Sequence, residues 1–371
     1  MHLLQRFGWW LASARRGCVR IAFLTIVVAL APGCSTGGIS IARESRAVTA
    51  DDGFPLVTHR LFEWKGSDPA TEAATREAAG LLVYVQGSDD RTVLSVTEHL
   101  AGACAMGLDV VAVERRGVTP EGNVQAEVAR QFCTKDRRVR DERTLIDSYL
   151  NAHPSVIARA QPVILMGASE GADVAAAVAA SEPRVTHLIL IAGGGGWTQA
   201  EEFRHMLAEG RIAIPEVSSV AGLDQKFEDI RLHPDAEIEW FGHPYRRWSS
   251  YLFERASDHL ITLDIPILVI HGDADTAVPV ESARALRDRF LAAGKTNLQY
   301  VEYEGVDHTL HGTTTGASVR PWVEIDTIEW LAARGALSAE YARMFVDRVR
   351  RAHPDLPARR GGDSEKRPRS H

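Results

Sequence analysis

Cysteine is scarce in this chain. There are four in 371 residues, with no C-x-x-C pair and no zinc-ligand spacing, so neither a dithiol redox centre nor a structural zinc site is expected. No apolar run is followed by the glycine pattern of a dinucleotide fold or of a P-loop, which removes the usual phosphate cradles. Gly193-Gly194-Gly195-Gly196 closes an apolar run instead of opening a helix, so it reads as the place where the chain leaves a sheet. No repeat of solenoid period is present. Positive charge is in deficit, with 42 Lys and Arg against 49 Asp and Glu for a net charge of −7, which argues against nucleic acid as a partner. The apolar run Ile21–Ala31 falls short of the ~20 residues that a membrane-spanning helix needs. What remains is an ordinary globular composition, 45% hydrophobic and 25% charged, long enough for one large α/β domain or two small ones.

The first 33 residues read as a targeting segment outside the fold. Arg6, Arg15, Arg16 and Arg20 precede the apolar run, the order found in a signal peptide. Ala31-Pro32-Gly33-Cys34-Ser35 follows and resembles a bacterial lipobox. That resemblance implies cleavage before Cys34, lipidation of its thiol and attachment to a membrane of the bacterial envelope. By resemblance to Gram-negative lipoproteins, serine after the cysteine implies the outer membrane, facing the periplasm. Plain export to the periplasm or medium and an uncleaved anchor are the alternatives, and Arg15-Arg16 leaves the export route open between the general and twin-arginine systems. Loss of residues 1–33 removes four arginines and no acid, taking the net charge from −7 to −11.

The chemistry concentrates at Gly167-Ala168-Ser169-Glu170-Gly171. Before it runs Pro162–Met166, apolar throughout as a buried strand is. After it runs Ala172–Ala180, rich in strong helix formers. A serine on so sharp a strand-to-helix turn takes a strained backbone conformation that lifts its hydroxyl off the sheet, and the flanking glycines let strand and helix pass closely. The segment resembles the nucleophile elbow of the α/β-hydrolase family. The resemblance implies a mostly parallel central sheet flanked by helices, with acid and histidine following the serine in that order.

Both partners are present. Ile265–Ile270 is another buried strand, and it ends in His271-Gly272-Asp273-Ala274-Asp275-Thr276-Ala277-Val278-Pro279. This is similar to the family's acid-bearing loop with the match on Asp275; Asp273 is the competing acid, with turn hydrogen bonding as its ordinary role. A helix near Val280–Ala293 and a strand, Leu298–Tyr303, lead to Gly305-Val306-Asp307-His308. His308 matches the family's histidine, with His311 as rival. Asp275 and His308 thus sit at carboxyl ends of strands, where open parallel sheets gather ligand sites. Serine needs a base to become a nucleophile, imidazole titrates near neutrality, and a carboxylate fixes its tautomer. By the same resemblance the oxyanion hole takes the Glu170 N–H and a donor after the strand Leu81–Val85, where Gln86-Gly87-Ser88 stands in place of the family's His-Gly and Ser88 N–H is the candidate. An ordinary Gly-Ser-Asp-Asp turn is the other reading of that loop. Glu114-Arg115-Arg116-Gly117, after the strand Asp109–Val113, reads as structural, with a substrate role for either arginine as the alternative.

Early strands are expected near 39–48 and 54–64. The 68 residues from Trp197 to Asp264 lie between two consecutive core strands, far beyond a normal connection, and read as a helical cap over the site. Phe203, Trp240, Phe241, Tyr245, Trp248, Tyr251 and Phe253 lie in it, and each ring is expected to pack the cap before it lines a pocket. The domain then spans about 34–336, followed by a C-terminal helix and a polar tail ending in Pro357–His371. Cys104 and Cys133 remain beside Cys34. A disulfide between them would contribute about 3 to 4 kcal/mol, yet their expected places at opposite edges of the sheet oppose it, and the question stays open.

The sequence reading is an exported serine hydrolase of α/β-hydrolase fold, acting on a small or lipid-like carboxylic ester through Ser169, His308 and Asp275, with no cofactor or metal. An aminopeptidase-like amide hydrolase and a non-catalytic binding protein on the same fold are the alternatives.

Overall fold

The computed structural model describes residues 26–30, 40–64, 77–89, 91–97 and 100–354. Cys34 and the tail from 355 onward lie outside the described residues, as does most of the expected signal segment. The strands, in chain order, are β1 (Ile26–Leu30), β2 (Ser40–Thr49), β3 (Pro55–Trp64), β4 (Gly80–Val85), β5 (Leu108–Val113), β6 (Val163–Ala168), β7 (His187–Ile191), β8 (Glu239–Trp240), β9 (His243–Pro244), β10 (Ile267–Gly272) and β11 (Leu298–Tyr303). All but the β8–β9 pair form one sheet in the order β1-β2-β3-β5-β4-β6-β7-β10-β11. The three joins from β1 to β5 are antiparallel, and every join from β5 to β11 is parallel.

The parallel strands follow from composition. Each residue of β4, β5 and β10 is buried, the pattern of strands covered by helices on both faces. Alternate residues of β4 feed opposite cores: Leu81, Val83 and Val85 on one face, Leu82 and Tyr84 on the other. The helices used below are α1 (Ala126–Phe132), α2 (Lys135–Ala152), α3 (Glu170–Ser181), α4 (Gln199–Ala208), α5 (Val220–Leu232), α6 (Tyr245–Tyr251), α7 (Val280–Ala292), α8 (Arg320–Ala333) and α9 (Ala339–Ala352). Helix α9 buries Ala342, Val346 and Val349 in the same core as Trp330 and Leu331 of α8. No helix among the described residues is long and apolar enough to cross a membrane.

The chain reverses direction across the sheet at β4, which lies between β5 and β6. Such a switch point opens a crevice at the carboxyl ends of its strands, and the ends of β4 and β6 carry Gly87 and Ser169 there.

The 197–264 segment folds as α4, α5, the β8–β9 pair, α6 and a short helix, Ala256–Leu260, with its own small core of Leu223, Phe227, Trp240, Tyr245, Trp248 and Leu252. Trp240 and Trp248 meet at 5.3 Å and 64°, Phe203 and Trp248 at 5.7 Å and 75°, so these rings pack edge to face inside the segment. Thr198 and Glu201 form a reciprocal capping box that starts α4.

Ile26–Leu30, inside the apolar run assigned to the signal peptide, pairs antiparallel with β2 at the sheet edge, a place that any short apolar segment can fill. Without it the sheet has eight strands. No disulfide joins Cys104 and Cys133: Cys104 is buried beside β5, and Cys133 is half-buried between α1 and α2.

Candidate active site

Ser169 joins β6 to α3 with φ +53° and ψ −129°, a strained conformation for a residue with a side chain. Two close approaches explain the glycines. A Cβ at Gly167 would lie 2.4 Å from the Gly171 carbonyl oxygen, and one at Gly171 would lie 2.2 Å from that of Val85. The glycine run after β7 has the same cause, since a Cβ on Gly193 would fall 2.3 Å from the Ser169 carbonyl oxygen.

Three of the residues named from sequence converge. His308 Nε2 lies 3.0 Å from Ser169 Oγ, and its Nδ1 lies 2.8 Å from Asp275 Oδ2. The Asp275 side chain is fully buried, while that of His308 is 26% exposed and so open to a ligand. Asp275 Oδ1 accepts the N–H groups of Ala277 and Val278 at 2.8 and 2.9 Å. Burial pushes the Asp275 carboxyl up, but hydrogen bonds from His271 and His308, with the histidine charge, outweigh it and hold the group well below the usual carboxylate range. It is an anion at every working pH.

The rivals have other partners. Asp273 accepts the Gly305 N–H, and His311 Nδ1 faces the hydroxyl and carbonyl of Thr309. Arg116 is structural: its guanidinium is held by Asp52 and Asp141 and lies over the rings of Phe54 and Phe132.

Beside the serine stands the loop after β4. A Cβ on Gly87 would sit 3.2 Å from Ser169 Cβ, so glycine lets this loop close on the elbow. Glu170 opens α3, where the first N–H groups have no partner within the helix and the helix dipole favours negative charge. Ser88 is exposed in the loop next to Gly87.

A sequence profile of the alpha/beta hydrolase family matches residues 84–321. The chain belongs to the alpha/beta hydrolase family. Esterase LipC of Mycobacterium tuberculosis is 41% identical over 54 residues, a match covering 14% of this chain and 13% of that protein. Among solved structures, a thermostable carboxyl esterase from Bacillus coagulans in complex with glycerol aligns with a TM-score of 0.53 at 16% identity, over 78% of this chain and 98% of that one. Pyrococcus horikoshii acylaminoacyl peptidase aligns with a TM-score of 0.52 at 13% identity, over 78% of this chain and 41% of that one. At these identities the two structures share the fold.

Some residues shape this family member's site through hydrogen bonds that carried no sequence signal. Gln86 differs from the family's histidine, and its amide donates to the Arg91 carbonyl at 2.9 Å, tying down the loop that holds Gly87. Glu114, at the end of β5, takes hydrogen bonds from the Thr92 hydroxyl and the Val93 N–H and fixes the far end of that loop. Arg138, from α2, joins the Gln86 carbonyl to the Glu170 carboxylate. Glu170 also pairs with Arg247 of α6, so the residue after Ser169 anchors the inserted segment. Burial raises the Glu170 carboxyl, but Arg247 and Arg138 bring it down to about 2. Asp307 accepts N–H groups of Thr309 and His311, shaping the turn that presents His308.

Proposed function

We propose that this chain hydrolyses a carboxylic ester through an acyl-enzyme on Ser169. The observation that carries this reading is the run of contacts from Asp275 to His308 to Ser169, 2.8 and 3.0 Å long, at a strained elbow. His308 Nε2 takes the hydroxyl proton as Ser169 Oγ adds to the ester carbonyl. Asp275 holds the ring by Nδ1 and stabilises the imidazolium that forms. The negative oxygen of the tetrahedral intermediate meets the Glu170 N–H and a donor from the Gly87–Ser88 loop. The carbon–oxygen bond then breaks and His308 returns its proton to the departing alcohol. Water repeats the sequence and releases the acid. Family membership and the short match to an esterase support this reading.

We also infer that the protein is exported and held at a membrane by lipid on Cys34.

A fluorophosphonate probe tests the nucleophile. It should label the wild-type chain at Ser169, and Ser169→Ala should lose both labelling and p-nitrophenyl ester turnover while keeping its circular dichroism. Undiminished labelling of the alanine variant would overturn the assignment. Parallel assays on aminoacyl p-nitroanilides separate ester from amide hydrolysis.

A further inference from the structure

A cavity of about 260 Å³ lies between the end of β5, helices α1 and α2, and the β9–α6 segment, and it meets the candidate active site at Glu170, the residue after Ser169. At that size it suits a substituent of a substrate better than a whole ligand. Its wall is cationic. Arg115, Arg138 and Arg247 line it beside His243, and Arg138 and Arg247 both bind one carboxylate, that of Glu170. The other acids of the wall are already engaged or neutral. Glu114 serves His59, Thr92 and Val93, and Asp141 serves Arg116 and Arg137. Glu142 is pushed up to about 8 by burial, against the pull of Arg138, so near neutrality it is mostly an uncharged acid that can donate a hydrogen bond.

Arg247 supplies the second observation. It is 7% exposed; one guanidinium nitrogen binds Glu170, and the other, Nη1, is buried with no hydrogen-bond partner. A buried donor left unused on a charged group is costly, and an anion admitted within reach of it would relieve that cost. Guanidinium groups match planar oxyanions, carboxylates among them.

The sheet order fixes which part of a substrate reaches this place. His308 follows β11 and must lie against the departing alcohol to protonate it. The cavity lies at the end of β5, on the opposite side of β6 and its Ser169. The acyl chain is the part of the ester directed away from His308. Resting on the ester-hydrolase reading above, we propose that the cavity is an acyl subsite for a terminal carboxylate, so that monoesters of short dicarboxylic acids are preferred over neutral esters of equal length.

Paired substrates test this on the intact chain. The kcat/KM for p-nitrophenyl hydrogen glutarate should exceed that for p-nitrophenyl valerate by about tenfold or more, the scale of one charged hydrogen bond. Arg115→Met and Arg247→Met should each lower that ratio, and Arg247→Lys should restore part of it. Because loss of Arg247 leaves Glu170 with less compensation, Arg115→Met is the safeguard should Arg247→Met fail to fold. Thermal shifts of Ser169→Ala with glutarate and with inorganic phosphate give a readout free of turnover. Stabilisation by glutarate that Arg115→Met abolishes would support the subsite even if no ester were cleaved, a result that would fault the hydrolase reading alone. A valerate ester cleaved as well as the glutarate ester, without a glutarate shift, would overturn the subsite and leave the hydrolase reading standing. A phosphate shift matching or exceeding that of glutarate would overturn the choice of a carboxylate.

Discussion

Asp273 Oδ1 accepts the Gly305 N–H at 2.5 Å, two residues along the chain from an aspartate that faces His308 instead. The two acids therefore do different work. Asp273 ties the loop after β10 to the loop after β11, while Asp275 orients the imidazole. Asp275→Asn should lower kcat by roughly 10³- to 10⁴-fold, because an amide favours the wrong tautomer. Asp273→Asn keeps an oxygen that can accept from Gly305 and should lower kcat far less. Steady-state kinetics of the two variants on one ester check this, and the opposite ranking would move the acid to Asp273.

The histidines should separate in the same way. His308→Ala removes the proposed base and should cost about 10⁴-fold or more in kcat/KM. His311 bonds within its own turn, to Thr309, and its alanine variant should keep most of the activity. Comparable losses from both substitutions would show that the turn, not the base, was damaged.

The strands were legible because a buried parallel strand is apolar at every position, and expected ends agree with observed ones to within about two residues. The elbow was legible because few residue types fit a turn that passes so close to Val85 and Gly193. The scaffold behind it was not. Arg138 lies 32 residues from Glu170 and Arg247 lies 77, and no local pattern announces a buried ion pair closed over such distances. The capping box Thr198-x-x-Glu201 is a local signal that the sequence reading passed over. Whether Cys104 meets Cys133 depended on where α1 and α2 run, which composition does not dictate.

The approach of α3 to β4 makes Gly171 a test of packing. A methyl group there would lie 2.2 Å from the Val85 carbonyl oxygen and 2.6 Å from that of Gln86, both backbone atoms of the sheet edge. Gly171→Ala should therefore destabilise the chain by about 1 to 3 kcal/mol or more. It should also slow turnover by shifting the loop that carries Gly87. A denaturant midpoint equal to wild type would show that the strand end yields freely.

Glu142 predicts a pH effect on stability. Its folded value is raised from 4.5 to about 8. Across that window the unfolded chain has lost the proton while the folded chain keeps it, so this group makes stability fall as pH rises. Glu142→Gln removes that contribution. The variant should gain stability relative to wild type between pH 5 and pH 8.5, seen as a growing difference in urea midpoint. A difference that stays constant over this range would mean that Glu142 titrates normally in the folded chain.

Strand β1 and the proposed lipid anchor make opposing demands on the same residues. Cleavage before Cys34 removes Ile26–Leu30, yet these residues pair with β2 at the sheet edge. Between that edge and the Ser169 strand lie β2, β3, β5 and β4, and β2 to β3 is the longest pairing in the sheet, ten residue pairs from Ser40–Trp64 to Thr49–Pro55. An edge strand at that distance should be dispensable. A chain beginning at residue 34, with Cys34→Ser to prevent stray oxidation, should fold and should hydrolyse the test ester with a kcat/KM within about twofold of the full chain. In an exporting bacterial host the full chain should mature to a lipid-modified Cys34, visible as an added acyl mass and as partition into detergent, while Cys34→Ala should retain residues 1–33. An insoluble or inactive shortened chain would show that β1 belongs to the working fold, and the signal-peptide reading would fall with it. Activity in the shortened chain together with an unmodified N-terminus in the exported one would leave the hydrolase intact and remove only the anchor.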